Sequence, residues 1–145
     1  GNRGSDLLVA KVILVGSDVA LLEGLAQTLI GFGHKVAFAA TVAEAAAPLS
    51  EDLPAMAVVS SQALEEAGMG MTLPLTPGGA LIVYGTSHTD QPFLPTKLQR
   101  ATLAHLVLPL ERHRLVALVQ SFESRSRTTG RSTRGEPGDD FQLQV

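Results

Sequence analysis

Cysteine is absent from the 145 residues, which excludes disulfides, thiolate nucleophiles and cysteine-ligated metals and leaves the redox compartment open. No apolar run approaches the roughly 20 residues that span a bilayer. The first ten residues also lack the charged start, apolar stretch and small-residue cleavage site of a secretory leader. Charge is scarce as well: 17% of residues are charged and the net charge is -3, so composition gives no reason to expect nucleic acid as a partner. A soluble, cytoplasmic chain that does not bind membranes is expected.

What is present is apolar: 45% of the residues, a profile that suits one well-packed domain with extensions rather than two domains or a disordered chain. KVILVG, 11–16, is continuously apolar and β-branched, as in a strand covered on both faces. Ser17 or Asp18 can cap the helix that follows, in which Leu21, Leu22, Leu25, Leu29 and Ile30 recur at helical spacing until Gly31 and Gly33 end it. HKVAFAA, 34–40, predicts a second strand, and Thr41 with Glu44 is a capping-box signature for an alanine-rich helix that Pro48 helps to stop.

AMAVVS, 55–60, predicts the third strand, with a short helix near 62–67 and an irregular stretch through AGMGMTLPLTPGG. ALIVY, 80–84, and HLVL, 105–108, predict the fourth and fifth strands, separated by a loop and a short polar helix near 96–102. Leu115, Leu118, Val119 and Phe122 mark the inner face of a last helix. Strands alternating with helices predict a doubly wound α/β domain, whose functional crevice lies outside the carboxyl ends of the strands.

From Ser121 onward the Ser, Thr, Gly and Arg content predicts a linker. The organisation read from the chain is thus an N-terminal extension over 1–10, a domain over 11–124 and a linker or tail over 125–145. Arg125, Arg127, Arg131 and Arg134 are read as solvated, because acids follow at once. The final FQLQV, 141–145, suits either the start of a further strand or a tail that adds to a sheet edge.

Several phrases, in this order and at these separations, resemble the receiver domain of bacterial two-component response regulators: VILVGSDVALLEGL, GFGHKVAFAATVAEA, PAMAVVS, ALIVYGTSH and AHLVLPLERHRLVALV. The resemblance covers most of the chain before the tail. It implies a flavodoxin-like five-stranded parallel sheet of order 2-1-3-4-5 with helices on both faces. It further implies where phosphorylation chemistry belongs: two magnesium-binding acids after the first strand, an acceptor aspartate ending the third, a Thr or Ser ending the fourth, and a lysine before the proline of the fifth.

Laid on that pattern, the acid pair falls on Gly16 and Ser17, the acceptor on Ser60 and the lysine on Leu108. The fourth-strand hydroxyl falls on Gly85, or on Thr86 after a one-residue slip. The position of the switch aromatic on the fifth strand holds His105. A hydroxyl needs an activating base to act as a nucleophile, and none is evident beside Ser60. Magnesium favours carboxylate ligands, which Gly16, Ser17 and Ser60 do not offer. Asp18 remains, read as a helix N-cap in preference to a residual cation contact.

No metal or other cofactor is expected, because His34, His88, His105 and His113 show no paired ligand spacing. His105 could serve as a pH sensor, but a half-buried structural side chain is the preferred reading. Phosphate-binding and nucleophile-elbow motifs are also missing, so no enzymatic activity is expected. The resulting expectation is a pseudo-receiver that signals without phosphorylation, through a protein partner, an effector domain or a second copy of itself. The family's usual contact face falls on Leu98, Leu103, Arg112 and Val116. Two alternatives stand beside it: a small-ligand sensor using the space between Gly16, Ser60, Gly85 and Leu108, and a receiver phosphorylated at a non-standard residue.

Overall fold

The structure, a computed structural model, describes residues 11–46, 53–68, 70–86 and 94–135, with the backbone alone for 124–135. Expectations for the N-terminal extension, Pro48, His88 and the 136–145 tail lie outside the described residues. In chain order the elements are β1 (Lys11–Val15), α1 (Val19–Gly31), β2 (Lys35–Ala39), α2 (Val42–Ala46) and β3 (Met56–Ser60). They continue with α3 (Ser61–Ala67), β4 (Ala80–Gly85), α4 (Thr96–Ala101), β5 (Thr102–Val107) and α5 (Arg112–Gly135).

Among the described residues the strands form one parallel sheet in the order β2-β1-β3-β4-β5, as the resemblance implies. The reversal of strand order beside β1 opens a crevice at the carboxyl ends of β1 and β3. The central strands are apolar without interruption because both of their faces are covered. Alternate residues divide between two cores. Val12, Leu14, Met56, Val58, Ile82 and Leu106 pack under α1 and α5 with Leu25, Leu29, Leu115 and Val119. Ile13, Val15, Ala57, Val59, Leu81 and Val83 pack under α2, α3 and α4 with Val42, Leu64 and Leu98.

Local chemistry sets the boundaries. Asp18 accepts from Leu21 N at 3.2 Å and caps α1, which ends as Gly33 takes φ 95°. Thr41 Oγ1 accepts from Glu44 N at 3.1 Å, while the Glu44 carboxylate reaches back to Ala40 N, so the capping box forms one residue wide of its usual partner. His34 is buried in the turn before β2, where its Nε2 pairs with Gln120 Oε1 on α5 at 2.6 Å.

Two elements run longer than the sequence suggests. β5 begins at Thr102, whose hydroxyl donates to Leu98 O at 2.8 Å as α4 closes. Its first residues are only partly covered, so they lack the apolar density that marks the central strands. The last helix passes Ser124 and runs to Gly135 through the segment expected to be a linker. Extending a formed helix costs little per residue, and Leu115 and Val119 anchor this one in the core.

Candidate functional site

At the carboxyl ends of the strands, register decides which side chains meet. β3 and β4 place Ser60 beside Tyr84, and β4 and β5 place Tyr84 beside Leu106. Neighbours in a parallel pair share a face, so Ser60 and Tyr84 both project on the α1 and α5 side. Gly16, following β1, lies on the same side. A Cβ built on Gly16 would overlap the Tyr84 hydroxyl and lie 3.3 Å from Ser60 Cβ, so three strand ends converge there.

Tyr84 fills the place that an acidic side chain at position 16 would occupy. Its ring belongs to the core with Leu14, Leu106 and Leu108, and its hydroxyl donates to Val15 O at 3.4 Å. Burial, with a smaller contribution from the nearby Asp18 carboxylate, pushes the phenol up to about 12 from its usual 10. The group is therefore neutral at physiological pH and serves as an apolar filler with one weak donor. The hydroxyl takes up the space that a side chain on Gly16 would need, and Gly16 also borders a groove of about 220 Å³ with Phe38, Ala39 and Glu44.

Ser60 ends β3 and begins α3. Its Oγ accepts from Gln62 N at 3.1 Å and Ala63 N at 3.3 Å, so the hydroxyl serves as a helix N-cap. The sequence reading placed this residue at the strand tip but did not foresee the capping. Ser17 and Thr86 are exposed, and Asp18 is engaged as the cap of α1. Among the described residues no three His, Asp or Glu side chains gather in a metal-binding group.

Gly85 ends β4, and its carbonyl accepts from Leu108 N at 3.1 Å. Leu108 is buried among apolar neighbours, where a lysine ammonium would have to be desolvated. Beyond it Glu111 closes the turn, its Oε1 accepting from Val107 N at 2.7 Å. His105 is half-buried beside Val83, on the opposite face of the sheet from Tyr84, so it does not join this cluster.

The expected contact face is only partly available. Leu103 is 39% exposed, Arg112 is exposed and Val116 is half-buried, but Leu98 is 5% exposed and packs in the core beneath α4. Leu98 is therefore a core residue rather than a contact residue. Its spacing on a short, otherwise polar helix gave no sign of which side faced inward.

Tyr84 is the site residue that sequence reasoning missed. It is the only tyrosine, and it is the penultimate residue of β4, two positions after Ile82, which points into the same core. That alternation, set beside a glycine where an acid was expected, was the available signal.

No family profile matches the chain, and no curated protein matches it. Solved structures do. A CheY-like response regulator receiver domain protein from Methanospirillum hungatei JF-1 is similar with a TM-score of 0.59 at 19% identity, over 83% of this chain and 98% of that one. The N-terminal domain of a response regulator/sensory box/GGDEF 3-domain protein from Carboxydothermus hydrogenoformans gives 0.52 at 12% identity, over 82% and 98%. The chain has the receiver-domain fold.

Proposed function

We propose that this domain is a phosphorylation-independent pseudo-receiver, a signalling module that works by protein contact. The observation that carries the reading is the position of Tyr84, whose hydroxyl stands where a side chain at position 16 would be. The other positions agree with it. Ser60 caps a helix, Ser17 and Gly16 bring no carboxylate, and Leu108 brings no cation. An acyl phosphate needs an acceptor carboxylate, a magnesium ion and a neutralising positive charge, and the residues at these positions supply none of them.

In an ordinary receiver the clustered carboxylates repel one another, and magnesium or phosphate relieves that repulsion. Here a buried, neutral side chain takes their place, and the switch is replaced by fixed packing. The output is then set by which protein binds and how much of it is present. Incubation with acetyl phosphate and magnesium, read by intact mass, tests the proposal, alongside thermal unfolding with beryllofluoride and magnesium. The expected result is no added phosphoryl group and no shift in Tm. Stoichiometric phosphorylation or a saturable rise in Tm would overturn it.

A further inference from the structure

The family's usual contact side, around β5, exposes few large apolar residues, whereas the opposite flank exposes more. Of the six large apolar residues exposed among those described, Val19, Ile30, Phe32 and Phe38 lie on α1, on β2 or in the turn joining them. Val19 and Phe38 line a groove of about 220 Å³ with Leu22 and Ala39. Ile30, three turns along α1 and about 20° round from Val19, continues this strip along the same side of the helix.

The strip borders β2, the edge strand of the sheet among the described residues. Among the described residues β2 pairs only with β1. The Ala39 carbonyl accepts from Gly16 N at 3.0 Å and so faces β1. Backbone groups alternate in direction along a strand, which turns the N–H and C=O groups of Val36 and Phe38 outward. An exposed edge of this kind is a template for another strand.

The edge also has polarity. Lys35, in register with Lys11, makes its start basic. Its end is acidic, because the Glu44 carboxylate is held at Ala40 N. We infer that a second copy of this chain binds here, β2 against β2, antiparallel about a two-fold axis through Ala37. In that arrangement Val36 and Phe38 of one copy exchange backbone hydrogen bonds with Phe38 and Val36 of the other. Phe38 packs across the axis on the α1 side. On the other face Lys35 falls opposite Ala39 of the second copy, beside its Glu44, and the pairing is reciprocal as two-fold symmetry requires. The charge pattern selects this orientation, since a parallel pairing would set lysine against lysine.

This inference rests on the proposed function only in naming the protein that makes the contact. A failed dimer would leave the phosphorylation result standing, and acyl phosphate formation would leave the edge unchanged. The test is sedimentation equilibrium of the full chain over a concentration series. A reversible monomer–dimer equilibrium is expected, weakened about tenfold or more by Phe38→Lys, a substitution at an exposed site that keeps the monomer folded.

Lys35→Glu and Glu44→Lys should each weaken the dimer, and the double exchange should restore it. A structural role for either residue would not produce that rescue. A wild type that stays monomeric overturns the inference, as does a dimer insensitive to Phe38→Lys or one lost instead through Leu103→Lys. A monomer that dimerises only after deletion of 141–145 would assign the edge to the chain's own tail and also overturn it.

Discussion

The hydroxyl of Tyr84 occupies the volume that a side chain on Gly16 would need, although Gly16 follows β1 and Tyr84 lies on β4, with β3 between the two strands. Gly16→Ala should therefore destabilise the domain by about 1–3 kcal/mol through overpacking, since the buried Tyr84 ring has little room to swing away. In a Tyr84→Phe background the same change should cost far less, because the Tyr84 Cζ atom lies 3.4 Å from the new Cβ, an ordinary contact. Urea unfolding of the four proteins checks this; an additive cycle would show that the two residues do not compete for space.

Tyr84 also predicts a pH dependence. Its phenol is pushed up to about 12 by burial and by Asp18, against 10 in the unfolded chain. The folded state thus holds the proton more tightly. The stabilisation is present in full below pH 10 and is lost as the pH rises from 10 through about 12. Because the chain has one tyrosine and no tryptophan, tyrosinate absorbance reports this group alone. The folded protein should titrate later than the urea-unfolded one, and coincident curves would contradict the burial.

Ser60→Ala removes two hydrogen bonds at the start of α3 and should cost about 1 kcal/mol, read as a fall in Tm. Ser60→Asp should retain most of the stability, because aspartate is an equally good N-cap. It should still fail to accept phosphate from acetyl phosphate, since Gly16, Ser17 and Leu108 remain. Labelling of that variant would mean that the surrounding positions matter less than their chemistry indicates.

Gln120→Ala deletes the partner of a buried imidazole. The other ring nitrogen of His34, Nδ1, already lacks a hydrogen bond, so the variant leaves the ring without a protein partner. A loss of about 1 kcal/mol is expected, with water partly compensating at the exposed side of the pair. Amide exchange should rise at the turn before β2 if His34 anchors that turn to α5.

The fold was legible because its central strands are buried on both faces and are therefore continuously apolar, as VILV in β1 and MAVV in β3 are. The glycines and prolines of the 68–79 stretch likewise announced an irregular connection. What stayed hidden depends on distance and direction. Ser60 as a cap follows from how closely α3 abuts β3. Leu98 as a core residue, the His34–Gln120 pair and the Tyr84 plug all require knowing which way a side chain points. The extended α5 was obscured because its second half has no apolar face, and only its attachment to the core sustains the helix.

On the proposed reading, the overlap at Gly16 also orders the steps by which phosphorylation chemistry could arise at this site. An acid placed at position 16 first would collide with Tyr84 and lower stability before any function returned. A smaller residue at 84 must come first, and that change alone opens a cavity and brings no benefit. On the proposed reading, each single step back is therefore unfavourable, and the site is held closed by packing rather than by the missing carboxylates alone.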